Sequence, residues 1–312
     1  MKYIFYLLFV ASALQSYKIK KASSTYKNAG LQQDSLNNDT NLFVQEQLKL
    51  IGSDFSFTEG CSSDGKGNVF FTDQPNDKVW KYSTDGKLTL FMDKSGRANG
   101  TYFDSKGNLI MCADEKGEIW SVNLNGKVKI LLTDYNGKQL NGPNDLWVDL
   151  KGGIYLTDPY YQRSYWTRNS PDIKSQDVYY LPKGSKSAIM VADGFEKPNG
   201  IVGTPDGKYL YVADINAGKI YKYTIANDGS LSSKKLLINR GADGMTLDDK
   251  GNLYLTGGDG VYIYNKKGIA IGTIIVPKGS SNVCFSGMNK DILFITSKNA
   301  VYTIPMNAKG VE

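Results

Sequence analysis

The sequence predicts an all-β fold, a six-bladed β-propeller whose last blade is completed by a strand from the N-terminal side. Three observations predict it. A short strand, a turn containing Gly or Asn, and a second, more apolar strand recur six times at intervals of about 40 to 55 residues, the period of a four-stranded blade. The segments between these pairs, such as KVWKYST, EIWSVNL, KIYKYTI and GVYIYNK, alternate or are aromatic, as further strands would. No long helix-forming stretch interrupts the series.

The repeats begin TEGCSSDGKGNVFFTD, ANGTYFDSKGNLIMCAD, PNDLWVDLKGGIYLTD, PNGIVGTPDGKYLYVAD, ADGMTLDDKGNLYLTG and SNVCFSGMNKDILFIT. The sixth yields only three strands, ending in AVYTIPM, whereas FVQEQLKLIG (43–52) precedes the first repeat without a partner. Pairing the two closes the ring and covers a sheet edge. The propeller is therefore assigned to 41–312.

Upstream, MKYIFYLLFVASALQS has a lysine, an apolar run and the small residues Ala11, Ser12, Ala13 and Ser16. Residues 1–16 read as a signal peptide, with export to the periplasm or exterior. The competing reading is an uncleaved anchor, but the run falls short of the roughly 20 apolar residues a bilayer span needs, so no stable membrane span is expected after cleavage. Residues 17–40, rich in Lys, Ser, Asn and Gln, read as a flexible leader.

Most of the formal net charge of +6 comes from Lys2, Lys18, Lys20, Lys21 and Lys27. Elsewhere acids and bases are mixed, and no basic stripe points to nucleic acid. Cys61, Cys112 and Cys284 lack metal-type spacing and read as small buried apolar residues rather than disulfide partners. The chain has no histidine. That excludes Ser-His-Asp and Cys-His catalysis and the common zinc sites. Hydrolytic chemistry must rest on carboxylates, amides, lysines, tyrosines or an oxygen-ligated metal.

At the head of each repeat stands a polar residue: Glu59, Asn99, Asn144, Asn199, Asp243 and Asn282. In a propeller the innermost strands all start from one face, so six heads converge on one mouth of the central channel. One Asn-Gly pair is ordinary turn chemistry. Six polar heads in register, two of them acids, gather negative charge that calls for a cation. Oxygen donors of this kind suit Ca²⁺, and Mg²⁺ or Mn²⁺ less exclusively.

Through TEG around Glu59, NGPNDLWVDLKGGIYLTDPYY around Asn144, KPNGIVGTPDGKYLYVAD around Asn199, ADGMTLDDKGNLYLTGGDGV around Asp243 and SSNVCFSG near the end, the sequence resembles the senescence marker protein / gluconolactonase / luciferin-regenerating-enzyme family. The resemblance implies one divalent cation, Ca²⁺ first and Mg²⁺, Mn²⁺ or Zn²⁺ as alternatives, and hydrolysis of sugar lactones and related esters. It further implies that Glu59, Asn199 and Asp243 ligate the metal, with Asn144 a further ligand or a substrate contact. Asn99 would face the substrate, and Asp243 would double as general base. One departure bears on substrate preference: many bacterial relatives carry a histidine-containing segment where this chain reads MCADEKGEIW.

The widest gap, between Asn144 and Asn199, holds an insertion, DPYYQRSYWTRNSPDIKSQ, on the connection that emerges on the same face as the heads. Tyr160, Arg163 and Trp166, with Tyr161, Tyr165 and Arg168, are expected either to wall the mouth or to pack as a self-contained surface loop. Aromatic faces pack on sugar rings, and arginine pairs with carboxylate or phosphate. The expected function is a secreted, metal-dependent hydrolase acting on a small-molecule lactone or ester. The alternatives are a non-catalytic ligand-binding propeller, a phosphotriesterase-like hydrolase, or a metal-free condensing enzyme like strictosidine synthase, which the acidic heads disfavour.

Overall fold

The structure, a computed structural model, describes residues 42–311. The segments read as signal peptide and leader, 1–16 and 17–40, lie outside the described residues. The chain forms six four-stranded antiparallel sheets, each of the first five built from four consecutive strands. Blade one comprises Thr58–Ser63, Val69–Asp73, Lys78–Tyr82 and Leu88–Asp93. The innermost strands of blades two to six are Ala98–Phe103, Leu146–Val148, Pro198–Gly203, Met245–Leu247 and Asn282–Ser286.

Burial follows position in the blade. Val69–Asp73 and its counterpart Leu109–Ala113 are buried throughout, and both are apolar on both faces because a neighbouring blade covers each side. The outer strand Leu88–Asp93 is half exposed and carries polar residues. Aromatic pairs fasten adjacent blades: Phe70 meets Phe103 edge-on at 5.1 Å, and Tyr254 meets Phe285 at 5.1 Å.

The N-terminal segment closes the ring. Lys49–Gly52 pairs antiparallel with Ala300–Pro305, giving the sixth blade its fourth strand. The strand is shorter than the sequence suggested, since Gln45–Gln47 forms one 3-10 turn. The physical reason is visible at Gln45, whose side chain leaves its own backbone to bond both Ile275 N and Ile275 O on blade five. Phe43 then bridges Met306, and Leu42 is buried in the core of blades five and six.

Two repeated side chains lock the mouth. The hydroxyls of Thr72, Thr157 and Thr256, at the ends of second strands, donate to the carbonyls of Asn99, Asn199 and Ser281 in the next blade at 3.0, 2.8 and 2.8 Å. Aspartates one residue further on cap the chain entering their own blade. Asp73 accepts from Ser56 N and Phe57 N, Asp158 from Asn141 N and Gly142 N, and Asp214 from Glu196 N and Lys197 N. Blade two breaks this rule. Its entering strand is capped from blade one, by Asp77 accepting from Arg97 N, which leaves Asp114 available for something else.

Among the described residues no helix is long and apolar enough to cross a membrane. The three cysteines are buried and form no disulfide among the described residues.

Candidate active site

The six heads lie at the start of their inner strands, and all are buried. In blades one, two and four the pairing register slips just past the head, between Glu59 and Ser62, Ala98 and Thr101, and Pro198 and Ile201. Such a bulge re-aims a side chain that a regular strand would send to a sheet face. The glycine that follows the head has a packing cause. A Cβ on Gly200 would sit 2.6 Å from the carbonyl oxygen of Asp243, and one on Gly60 would sit 1.9 Å from that of Asn99. Asn199-Gly200 is thus no tight turn. It lies inside a strand, where the next blade leaves no room for a side chain.

These constraints bring Glu59, Asn199 and Asp243 together. Asp243 interacts with the side chains of both Asn199 and Glu59. Glu59 also accepts from Gly60 N at 3.1 Å and from Asn282 Nδ2 at 3.3 Å. Burial pushes the Asp243 carboxyl up to about 6, against the lowering influence of Asn199, Glu59 and Arg163. Glu59 is raised well above the ordinary carboxylate range, by burial first and then by the charges of Asp243 and Asp145. Among the described residues neither acid makes an ion pair.

Asn144 is buried beside this group, in the residue pair preceding Leu146–Val148, and its carbonyl accepts from Gly100 N at 2.7 Å. Asn99 is buried in the same arc, its backbone pinned by Thr72.

The insertion, 158–177, is irregular and lies at the mouth. It both packs on itself and reaches the heads. Tyr161 makes the contact: Asn199 Nδ2 donates to its hydroxyl at 3.2 Å, and burial pushes that phenol up to about 12. Arg163 stands 5.3 Å from the Tyr161 ring. Tyr160 and Trp166 are turned elsewhere. Tyr160 bonds Gln162 and lies 5.7 Å from Trp166, while Trp166 donates Nε1 to Asp114 O at 3.2 Å and has the Arg168 guanidinium over its ring at 4.1 Å.

Asp114 is the hub of this packing. Its carboxylate accepts from Arg163 Nε at 2.9 Å, Tyr165 hydroxyl at 2.5 Å and Gln74 Nε2 at 3.0 Å. Blades one and two and the insertion of blade three meet there.

Sequence reasoning did not single out Asp114, Asp145 or Lys197, and noted Tyr161 only as one aromatic of the insertion. For Asp145 a signal existed, because the third repeat reads Asn-Asp where others read Asn-Gly. Its carboxylate accepts from Leu146 N at 2.9 Å and Ile201 N at 3.3 Å and so bridges two blades.

Near the heads a small cavity of about 10 Å³ lies between Cys61, Asp145, Ile201, Met245 and Asn282. A roomier cavity of about 400 Å³ opens on the opposite face between blades two and three. It has an apolar floor, a lysine rim and the amides of Asn108 and Asn123, but Asp104 is the single carboxylate in its lining. The two acids, Glu59 and Asp243, lie at the heads.

The fold is thus a six-bladed propeller with two buried acids and several buried amides at the heads of its inner strands. Residues 57–299 match the SMP-30/Gluconolactonase/LRE-like region, and the chain belongs to that family. It is 28% identical over 296 residues to the gluconolactonase of Zymomonas mobilis, covering 84% of this chain and 82% of that protein. A gluconolactonase structure from Xanthomonas campestris superposes with TM-score 0.77 at 27% identity, covering 83% of this chain and 89% of the other. The luciferin-regenerating enzyme shares the fold at TM-score 0.72 and 18% identity, over 84% and 96% of the two chains.

Proposed function

We propose that this protein is a metal-dependent lactonase of the sugar-acid type, exported by its N-terminal segment. The observation that carries the reading is the buried Glu59–Asp243 pair, framed by Asn199 and roofed by Tyr161, in a chain similar to gluconolactonases.

The donor set fits a hard cation. Both acids are raised by burial, and Glu59 also by its acidic neighbours, which is the strain a cation relieves. Among the described residues no three acidic, cysteine or histidine side chains form a cage by themselves, so amide oxygens must complete the shell. Glu59, Asn199 and Asp243, with Asn144, would hold the ion, calcium first and Mg²⁺, Mn²⁺ or Zn²⁺ as alternatives. When bound, such an ion polarises a carbonyl oxygen and lowers the pKa of water.

The chain's own residues supply the rest. Asp243 accepts the proton of the attacking water at its carboxylate, the role of a positioned general base. The water oxygen bonds to the lactone carbonyl carbon, the ring ester bond breaks, and the proton passes to the departing ring oxygen, giving the hydroxy acid. Asn99 and Asn144 orient the ring from one side, and the Tyr161 side chain covers it from the other.

A pH-indicator assay of sugar lactones tests this, run with chelator and with calcium restored. Turnover abolished by EDTA and recovered with Ca²⁺ is expected. Full turnover after exhaustive chelation refutes the metal, and no turnover on any lactone refutes the lactonase. Recovery of protein shortened at its N-terminus outside the cytoplasm tests export.

A further inference from the structure

Two cations stand at the mouth that ring opening itself does not require. Lys197 precedes the strand that carries Asn199, and its Nζ lies 4.3 Å from the Tyr161 ring centroid. Arg163 lies 5.3 Å from the same ring. Both charges thus lie against the ring whose hydroxyl is bonded to the amide of Asn199.

Their arrangement is fixed and only partly satisfied. Arg163 is 23% exposed and is gripped through Nε by Asp114, a carboxylate 1% exposed. That aspartate is free to do so because Asp77 caps the entering chain of blade two in its place. The grip uses one edge of the guanidinium. Among the described residues neither Nη of Arg163 donates a hydrogen bond, and Lys197 makes no ion pair. The charge of Arg163 is offset by Asp114, so Arg163 offers oriented donors while Lys197 supplies net charge. A planar pair of N–H donors beside an ammonium is matched by a carboxylate or a phosphate.

We infer that the site selects lactones bearing a second, anionic group, a carboxylate or phosphate remote from the ring carbonyl, held between Arg163 and Lys197. This rests on the lactonase reading and names its substrate class. Arg163 and Lys197 hold the anion at the rim beside Tyr161, which leaves the ring carbonyl to enter the centre.

The experiment compares kcat/KM for glucono-δ-lactone, glucarolactone and a phosphogluconolactone, in the wild type, Arg163→Gln and Lys197→Gln. An anionic lactone is expected to be favoured about ten- to a hundredfold, the worth of one charge-assisted hydrogen bond. Each substitution is expected to remove most of that preference, chiefly through KM. The better of the two anionic arms identifies carboxylate or phosphate. Lys197→Gln leaves the Asp114 grip untouched, so its effect does not depend on the loop staying in place. Calorimetry with glucarate against gluconate reads the second anion without catalysis. If glucono-δ-lactone is turned over as well as the anionic lactones and glucarate binds no tighter than gluconate, the inference falls and the lactonase reading stands. If no lactone is opened yet glucarate binds tighter and loses that margin in both variants, the anion subsite stands and the hydrolase falls. If neither turnover nor tighter glucarate binding is seen, both fall.

Discussion

Replacing Asp114 by alanine removes the carboxylate on which three segments converge. Arg163 Nε, the Tyr165 hydroxyl and Gln74 Nε2 all lose their acceptor at a site only 1% exposed. Breaking a buried ion pair by deleting one partner costs about 3–5 kcal/mol. Arg163 retains 23% exposure and can recover some hydration, which places the cost near the lower end. At about 2–4 °C per kcal/mol for a chain of this size, the melting temperature should fall by roughly 6–12 °C. Asp114→Asn separates charge from hydrogen bonding. Burial raises the Asp114 carboxyl more than Arg163 and Tyr165 lower it, so the charge contributes little net stability. An amide of the same shape still accepts from Tyr165 or Gln74, and its cost should stay near 1 kcal/mol. The assay is calorimetric melting beside limited proteolysis of the insertion, 158–177. An alanine variant that melts within about 1 °C of wild type, with the insertion equally resistant, would show that Asp114 is not the anchor.

Four further outcomes are expected. A chain beginning at Ser53 loses the strand Lys49–Gly52 and the buried Leu42, and should melt well below a chain beginning near residue 41; equal melting refutes closure by this segment. Gly200→Ala forces a Cβ to within 2.6 Å of Asp243 O, and should cost about 1–3 kcal/mol and reduce turnover together; unchanged kinetics and melting refute the close approach. With Asp243 raised to about 6 and Glu59 raised well above its ordinary range before metal binds, calcium must displace protons from the pair, so affinity should weaken as pH falls and recover as pH rises past 6; calorimetry in buffers of different ionisation enthalpy reads the released protons. Asp243→Asn should weaken calcium and, at saturating metal, lower turnover roughly 10²–10⁴-fold, whereas Asn199→Asp should hold calcium at least as tightly and lose less activity; near-normal turnover of saturated Asp243→Asn reduces that residue to a ligand.

The blades were legible because each must bury two apolar faces against its neighbours, which imposes an alternation and period that no loop imitates. Closure was legible from a count, three strands at one end and an unpaired one at the other. Its extent was not, because the turn at Gln45 depends on Ile275, 230 positions away. The heads were legible as a register, but the reason for their glycines was not, since the contact of Gly200 with Asp243 O joins two blades. The insertion was legible only as extra length and aromatic content. Which aromatic faces the heads depends on Asp114, and an aspartate in Cys-Ala-Asp looks identical to those in Phe-Thr-Asp or Leu-Thr-Asp that cap their own blades. Only the substitute cap, Asp77 on Arg97 N, reveals that Asp114 is spared.

That displaced cap shows where function enters a repetitive scaffold. Six similar units produce one channel and six equivalent heads, an arrangement that by symmetry favours no direction. Each departure from the repeat adds direction. Two heads are acids, so charge collects between blades one and five. One glycine position holds Asp145, which adds a third negative charge and ties blade three to blade four. One capping aspartate is released to hold the insertion, which delivers Tyr161 to Asn199 and Arg163 to the rim. Each departs from a pattern that several other blades share, and each would be a cost in a purely structural propeller. On the lactonase reading, a lactone arriving at the mouth meets the acids of blades one and five, the Tyr161 side chain bonded to Asn199, and the cations Arg163 and Lys197 against that ring. That arrangement, more than any single residue, is expected to set which end of the substrate points inward.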